Sequence, residues 1–253
     1  MTLAIKKIFP NFYKLTKKIS NSIPMRVTLR EKQILYANYG IYKMINQWRG
    51  GSLKEEADIA YKYYEGGDFI DIGSFNSFYS FLLSPKGKSK DRFISCEPDP
   101  KAYPVAKENL KILKKNFKTL EYHLITSPIG SGENVVIAHN DWGHPCFLDD
   151  KSSELKEEKK KTRFKSISID HLVQKMILKP TFIKIDTEGS ELDILINMKK
   201  TISIYKPRIL LEKHPTLIPK NSTLQMIDDF LRQNKYLPTL INKSDLVIRE
   251  IWK

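Results

Sequence analysis

The chain has 253 residues, of which 41% are hydrophobic and 28% are charged, a balance typical of a soluble globular domain. No stretch approaches the ~20 apolar residues of a membrane span, and lysines interrupt the apolar runs near the N-terminus, which argues against a secretory signal. Its two cysteines, Cys96 and Cys146, show no CxxC spacing. They indicate a reducing compartment without a disulfide framework, so we expect a cytoplasmic protein.

Positive charge is concentrated near the N-terminus. Residues 1–50 contain ten Lys or Arg and one acid, Glu31, and so carry nine of the fourteen net positive charges. Apolar residues interleave with these lysines, which predicts a basic helical arm ahead of a domain at residues 51–253. The arm packs on its own domain or on a partner chain of an oligomer, or it lies on the inner face of an anionic membrane. Without a recognised nucleic-acid-binding motif, basicity alone predicts no nucleic-acid partner.

Helical and strand patterns alternate after the arm. Apolar spacing predicts helices at 53–64, 74–83, 101–116, 188–197 and 222–234, and strands at 68–72, 92–97, 120–125, 134–139, 181–186 and 208–214. The run KSSELKEEKKKTRFK at 151–165 is predicted to be an exposed loop or helix. The C-terminal sequence YLPTLINKSDLVIREIW predicts two strands joined at NKSD. This alternation indicates a mostly parallel α/β sheet with an antiparallel hairpin at one side.

Three of the predicted strands end in an acid. FIDIGS places Asp71 at the end of one strand with Gly73 just beyond it, CEPDP places Glu97 at the end of the next, and KIDTEG places Asp186 at the end of a third. Ligands bind at the carboxyl ends of parallel strands, and Gly73 lets a ligand approach the backbone. Glu97 follows Asp71 at the distance of one strand–helix–strand unit. A carboxylate at that position can accept both hydroxyl protons of a ribose.

The same edge of the sheet does not suit a polyphosphate. The chain has no GxGxxG and no GxxxxGK[ST] pattern, and three carboxylates would repel phosphate groups. They suit a nucleoside that carries positive charge. S-adenosylmethionine is such a ligand, because it has a sulfonium, an ammonium and a ribose diol.

These strings resemble a known family. DIGSFNSFYS at 71–80 and CEPDP at 96–100 look like the first two motifs of class I methyltransferases. SISIDHL at 166–172, FIKIDTEGSELDIL at 182–195 and ILLEKHP at 209–215 are similar to FkbM-type methyltransferases. The resemblance implies a Rossmann-like, seven-stranded sheet, mostly parallel, with helices on both faces. It also implies methyl transfer from S-adenosylmethionine, with hydroxyl groups of sugars, glycans or secondary metabolites as acceptors.

Carried onto this chain, the resemblance implies cofactor contacts from the motif residues and from neighbouring strand ends. The family's first motif usually has Ala, Asn and a second Gly where this chain has Ser74, Phe75 and Ser77. We expect Ser77 to narrow the space beside the cofactor, and Asn76 to compensate for the missing Asn. The predicted cofactor-binding residues are Asp71, Gly73, Ser74, Asn76, Glu97, Pro98, Ser127 and Asp186.

Transfer to a hydroxyl group needs aligned reactants and a base within hydrogen-bond reach. Asp186, Glu188 and His214 are the candidate bases, and the residues alone do not rank them. Glu212 is a further strand-end acid that can hold the acceptor.

Each of these side chains also has a structural interpretation. Asp71 can cap its own turn, and Asp186 with Glu188 can cap the helix predicted from 188. Lys184 lies two residues before Asp186, so both point to one face of the strand and can form an ion pair. Asp170 is expected to cap a helix that begins at His171.

The string HNDWGH at 139–144 has donors for a first-row metal at His139, Asp141 and His144. A polar turn without a metal is the favoured interpretation of this string. Trp142 can offer a flat apolar platform for a sugar ring, and we predict substrate contacts from Trp142 and His144.

Other functions remain open from sequence. The chain can be a methyltransferase of another small molecule at nitrogen or oxygen, or a protein that binds the cofactor without turnover. A nucleic-acid methyltransferase is disfavoured, because the chain has Asp-Thr-Glu-Gly at 186–189 where an Asn/Asp-Pro-Pro-Tyr motif would support base methylation.

Overall fold

The structure is a computed structural model that describes residues 53–100, 102–139, 145–149, 162–219 and 222–253, together with two short strands near the N-terminus. These are β1 (Met25–Thr28) and β2 (Ile34–Ala37), which pair antiparallel as a two-stranded sheet. The prediction of a helical arm is therefore wrong at these two strands, where β-branched residues such as Val27 and Ile34 favour pairing. The rest of 1–52 lies outside the described residues, and the boundary at 50 stays a prediction.

Seven helices are described after β2, and the 3-10 turn Ser84–Lys86 closes the second of them. None of these helices has the length and apolarity that a membrane crossing requires. They are α1 (Lys54–Tyr63), α2 (Phe78–Leu83), α3 (Tyr103–Asn116), α4 (Ile169–Met176), α5 (Glu191–Ile196), α6 (Lys199–Tyr205) and α7 (Leu224–Gln233).

The strands after β2 form two sheets. They are β3 (Asp68–Ile72), β4 (Arg92–Cys96), β5 (Glu121–Ile125), β6 (Asn134–His139), β7 (Pro145–Asp149), β8 (Thr162–Lys165), β9 (Pro180–Ile185), β10 (Arg208–Lys213), β11 (Pro238–Lys243) and β12 (Ile248–Trp252).

The main sheet has seven strands in the order β11-β12-β10-β9-β3-β4-β5. β10, β9, β3, β4 and β5 are parallel to one another, and β12 is antiparallel to both β10 and β11. This confirms the predicted seven-stranded, mostly parallel sheet with a C-terminal hairpin. From β3 the chain first builds outward through β4 and β5, and β9 and β10 then add on the other side of β3. The topological switch point therefore lies between β3 and β9, where α/β sheets bind ligands.

A smaller antiparallel sheet, in the order β7-β6-β8, is inserted between β5 and α4. The strand predicted at 134–139 is confirmed as β6, and it belongs to this second sheet. The prediction of a loop or helix is wrong at Thr162–Lys165, which pairs with β6 as β8. Residues 151–161 lie outside the described residues.

Helices cover both faces of the main sheet, as predicted, and an apolar cluster lies on each face. On the face covered by α1, α2 and α3, the rings of Phe69, Phe93 and Phe182 pack together, with centroids 5.8 Å (Phe69–Phe93) and 6.0 Å (Phe69–Phe182) apart. Strand residues two positions later point to the same face and are polar. They are Asp71, Ser95 and Lys184, and Glu212 follows Leu210 in the same way. This face is therefore apolar at the amino ends of the strands and polar at their carboxyl ends.

The helices α2 and α5 begin three or four residues later than predicted, because the residues before them adopt left-handed backbone conformations. Phe75 and Ser77 have φ of 48° and 63°, so α2 begins at Phe78 rather than at 74. Glu188 has φ of 54°, so α5 begins at Glu191 rather than at 188. Such residues cannot continue a right-handed helix.

Asp170 does not cap its own helix, contrary to prediction. α4 begins at Ile169, and the Ser168 hydroxyl accepts the cap hydrogen bond from the backbone N–H of His171. Asp170 instead accepts hydrogen bonds from the backbone N–H groups of Lys200 and Thr201, at 3.1 and 2.8 Å. Asp170 therefore supplies hydrogen-bond acceptors to the N–H groups in the first turn of α6. The sequence patterns did not predict this helix.

Candidate active site

The carboxyl ends of β3, β4 and β9 meet at one point, which Gly73 makes possible. The backbone N–H of Gly73 donates to the Cys96 carbonyl at 3.1 Å, and the N–H of Asp186 donates to the Ile72 carbonyl at 3.0 Å. Gly73 has φ of 78°, and a Cβ atom there would lie 1.8 Å from the carbonyl oxygen of Asp186. The three acids predicted to outline one cleft, Asp71, Glu97 and Asp186, are thus brought to one edge of the sheet.

Buried polar atoms without hydrogen-bond partners concentrate at this point. Native interiors leave few such atoms, so a cluster of them needs an explanation, and a polar ligand is one. The hydrogen-bond partners are missing, within the described part of the chain, for both carboxylate oxygens of Asp71, the Oγ atoms of Ser74 and Ser77, both amide atoms of Asn76 and the Oγ1 of Thr187. All five side chains are buried.

Asp71 does not cap the turn that follows it, because neither of its oxygens accepts a hydrogen bond from a described residue. Its side chain is 1% exposed. Burial raises the pKa of Asp71 to about 7, although the neighbouring Lys184 opposes the shift. Asp71 is therefore a carboxyl that the fold holds at an energetic cost, which is typical of functional sites.

Asp71→Asn is expected to stabilise the chain at neutral and alkaline pH. Asp71 ionises from about pH 4 in the unfolded chain but only near pH 7 in the folded chain. Its contribution to the free energy of unfolding is therefore intact below pH 4 and is lost as the pH rises to 7. Asparagine does not titrate, and the variant should gain on the order of 2–4 kcal/mol above pH 7. Urea unfolding at pH 4 to 8 measures this, with Asp245→Asn, an exposed acid, as the control. If the variant and the wild type differed in free energy of unfolding by the same amount at every pH, a raised pKa of Asp71 would be contradicted.

Glu97 is fixed by the backbone on either side of it. Its Oε2 accepts from the N–H of Phe75 at 2.7 Å, and its Oε1 accepts from the N–H of Asp99 at 2.9 Å. Each oxygen has a second lone pair, so the carboxylate can still accept the two hydroxyls of a ribose. Burial raises the pKa of Glu97 to about 7, against the lowering effect of the two N–H groups.

Two further predicted cofactor residues, Pro98 and Ser127, lie beyond the ends of β4 and β5. Pro98 is buried next to Glu97, and Ser127 is half-buried beyond the end of β5, the outermost strand on this side of the sheet. Trp142 and His144, together with Asp141, lie outside the described residues, and His139 is described only as the last backbone position of β6. The predicted substrate contacts and the possible metal donors in this string therefore stay predictions.

His214 lies among three carboxylates at the carboxyl end of β10. Its Nδ1 is 3.1 Å from Oε1 of Glu191, and its Nε2 is 3.6 Å from Oδ1 of Asp186 and 3.9 Å from Oε2 of Glu188. Burial alone would lower the pKa of His214, but the hydrogen bond to Glu191 and the charges of Asp186, Glu191 and Glu188 raise it on balance. The structure thus brings the three candidate bases together.

The side chains of Asp186 and Glu188 are 28% and 21% exposed, so they reach the solvent side of this cluster, whereas His214 is buried beside them. Neither caps α5. The N-cap position of α5 is Ser190, and no side chain makes a cap hydrogen bond there. Oε1 of Glu191 accepts from the N–H of Gly189 at 3.0 Å, within the turn that precedes the helix.

The predicted ion pair between Lys184 and Asp186 is confirmed, and Glu212 is part of it. Nζ of Lys184 is 3.0 Å from Oδ2 of Asp186 and 3.2 Å from Oε1 of Glu212. The other oxygen of Glu212 is 2.8 Å from Nη2 of Arg249. Glu212 is buried with both oxygens paired, so we reassign it from acceptor binding to this ion network.

Burial would lower the pKa of Lys184, but the charges of Asp186 and Glu212 reverse this and raise it, so the ammonium is permanent. Burial raises the pKa of Asp186 in turn, and the charges of Lys184 and His214 outweigh it, so the net shift is downward. Asp186 is accordingly a carboxylate at neutral pH and a weak base.

Sequence reasoning did not identify Glu56, Tyr79, Glu191 and Arg249. Arg249 Nε lies 2.9 Å from Oε2 of Glu56, so α1 and β12, which are far apart in the chain, meet in the same network. No local pattern indicates that pairing. Glu191 carried a usable signal, since it lies three residues after Glu188 in a string already assigned to the site.

The family model described as the Methyltransferase FkbM domain matches residues 61–238. Among curated proteins, no sequence matches the chain. The methyltransferase FkbM from Methylobacillus flagellatus KT has a similar structure at 17% identity, with a TM-score of 0.50, over 75% of this chain and 44% of that protein. This likeness shows a shared fold, and the chain spans less than half the length of that protein.

Two further solved structures are similar at lower scores. The O-methyltransferase from Bacillus cereus, in complex with SAH, is 13% identical with a TM-score of 0.49, over 94% of this chain and 96% of that one. The O-methyltransferase TomG from Streptomyces achromogenes, in complex with SAM, is 8% identical with a TM-score of 0.47, over 94% of each chain.

Proposed function

Because the chain belongs to the FkbM methyltransferase family, we propose that it transfers a methyl group from S-adenosylmethionine to a hydroxyl group of a sugar, glycan or sugar-containing metabolite. The observation that carries the cofactor assignment is the cluster of unpartnered buried polar atoms at the ends of β3 and β9, beside the fixed carboxylate of Glu97. The sugar acceptor rests on the sequence resemblance.

The residues present fit the proposed cofactor. Glu97 would hold the ribose hydroxyls, and Asp71 would place negative charge near the cationic part of the ligand. Gly73 lets the ends of β3 and β9 approach each other at the site, and Ser74, Asn76 and Ser77 would supply the polar contacts to the remaining groups. The bound cofactor supplies a methyl group on a sulfonium, which is electrophilic without help from a metal or an acid.

His214 is the base that the geometry supports best. The hydrogen bond from Nδ1 to Glu191 holds the ring with Nδ1 as the donor, which leaves Nε2 free to accept the proton of an acceptor hydroxyl. The carboxylate of Asp186 is a weaker base, because Lys184 and His214 lower its pKa. Asp186 and Glu188, both partly exposed, are the residues that would hold the acceptor beside Nε2.

Binding of S-adenosylhomocysteine should depend on the ionisation of Glu97. Only the carboxylate accepts both ribose hydroxyls, and the pKa of Glu97 is about 7. The affinity should therefore fall about tenfold for each pH unit below 7 and level off above it. Glu97→Gln should weaken this dependence on pH and leave the part that the ionisation of Asp71 contributes. Calorimetric titration at pH 5.5 to 8.5 checks the expectation, and a wild-type affinity that is flat across this range would contradict it.

The proposed reaction is tested by methyl transfer. The protein is incubated with S-adenosylmethionine labelled at the methyl group and with nucleotide-activated sugars, free glycans, catechols and amines. Label on a carbohydrate hydroxyl supports the full proposal. Label on an amine or a catechol would retain the methyltransferase and overturn the sugar acceptor.

A further inference from the structure

We propose that the ammonium group of Lys184 is the resident cation on the acceptor side of the cleft, in the place where a divalent metal ion would otherwise bridge Asp186 and Glu212. Methyl transfer would then need no divalent metal. This last consequence rests on the proposed function, whereas the cation assignment does not.

The donor set at this point suits a metal ion. One oxygen of Asp186, one oxygen of Glu212 and one ring nitrogen of His214 all lie within 4.8 Å of one another. Two carboxylates and an imidazole are ligands that first-row divalent metals accept. The hydrogen bond from His214 to Glu191 is also the kind of support that orients a metal-binding histidine. The composition of the cluster therefore calls for a cation.

Lys184 already supplies that cation. Its Nζ lies 3.0 Å from Oδ2 of Asp186 and 3.2 Å from Oε1 of Glu212, so it already bridges the two carboxylates that a metal would have to share. A metal ion needs bonds of about 2.0–2.2 Å to oxygens of both carboxylates, and the ammonium that lies between them would have to leave first. Lys184 is 2% exposed, and the centre of the Tyr79 ring lies 4.9 Å from Nζ, so the ammonium is held inside the fold.

The charges nearby favour this arrangement. The buried carboxyls of Asp71, Glu56 and Glu212 lie close to the more exposed Asp186, and Lys184 and Arg249 lie among them. The two cations share Glu212, since Lys184 takes Oε1 and Arg249 takes Oε2 at 2.8 Å. Each oxygen of Glu212 therefore already faces a cation. Lys184 also fixes Asp186 through Oδ2, so that Oδ1 faces His214 at 3.6 Å, and this makes Lys184 a positioning residue.

The test is a titration of the full chain with Mn²⁺, in which electron paramagnetic resonance measures the bound and free ion. The wild type is compared with Lys184→Ala, with the double variant Lys184→Ala/Asp71→Asn, and with Lys107→Ala, an exposed lysine on α3, as the control. The double variant removes one buried carboxyl together with the ammonium, which limits the loss of stability. Circular dichroism establishes which variants are folded.

We expect a folded Lys184 variant to bind Mn²⁺ at least ten times more tightly than the wild type or Lys107→Ala, and His214→Asn in the same background to remove that binding. The proposal would be overturned if folded Lys184 variants bound Mn²⁺ no better than the wild type. It would also be overturned if the wild type bound Mn²⁺ tightly and lost it on His214→Asn, an outcome that needs no Lys184 variant to fold. S-adenosylhomocysteine binding, measured on the metal-free wild type, tests the proposed function separately.

Discussion

Gly73→Ala is expected to destabilise the folded chain by at least about 3 kcal/mol and to abolish binding of S-adenosylhomocysteine. The added Cβ would lie 1.8 Å from the backbone carbonyl oxygen of Asp186, which no side-chain rotation can relieve. β3 and β9 would have to separate at the point where the N–H of Asp186 donates to Ile72. Urea unfolding and calorimetric titration measure the two effects.

Gly132→Ala is the matched control for Gly73→Ala. Gly132 has φ of 96°, also in the left-handed region, but a Cβ there would meet nothing within 4 Å. This variant carries only the cost of the backbone conformation, about 1 kcal/mol. The difference between the two variants isolates the contact with Asp186. Equal destabilisation would show that the strand ends are not as close as the structure has them.

His214→Asn is expected to lower the rate of methyl transfer by about 10²–10⁴-fold, the usual contribution of a general base. The affinity for S-adenosylhomocysteine should change by less than threefold, because His214 lies with Asp186, Glu188 and Glu191 rather than with Glu97. The wild-type rate should rise with pH to a plateau above the raised pKa of His214, since the base must be neutral. The variant should lack this limb. Single-turnover kinetics over pH 6 to 9 separate chemistry from binding.

The control for this experiment is His171→Asn, an exposed histidine on α4. It should leave both the rate and its dependence on pH unchanged. Glu191→Gln should have a rate of methyl transfer between those of His171→Asn and His214→Asn, because it weakens the orientation of the His214 ring without removing the base. A loss of less than tenfold in His214→Asn, with the rising limb intact, would assign the base to another residue.

Much of the fold was predictable, because the repeating patterns of the sequence coincide with local structure. The strand at 68–72 was predicted with the bounds that the structure gives, since DFIDI is bounded by Gly66-Gly67 and by Gly73. The starts of α2 and α5 were not, because they depend on left-handed conformations at Phe75, Ser77 and Glu188, residues that rarely adopt them. The strands β1 and β2 were missed because the interleaved lysines suggested one amphipathic arm.

In the site, too, the predictable residues are those that a local sequence pattern marks. Acids at strand ends are visible in sequence, so Asp71, Glu97 and Asp186 could be placed at one edge before the fold was known. The role of Glu212 could not be predicted, because its partner Arg249 comes from β12 and only the antiparallel register of β10 and β12 brings them together. The role of Asp170 likewise depends on α6, which packs beside α4.

The measurement that tests the cofactor site most directly is a calorimetric titration of S-adenosylhomocysteine at pH 8 into the wild type, Glu97→Gln and the control Glu121→Gln, an exposed acid on β5. We predict micromolar affinity for the wild type and the control. Glu97→Gln should bind at least ten times more weakly, a loss of about 1.4 kcal/mol. No binding to the wild type, or equal binding by Glu97→Gln, would contradict a cofactor site at the ends of β3, β4 and β9.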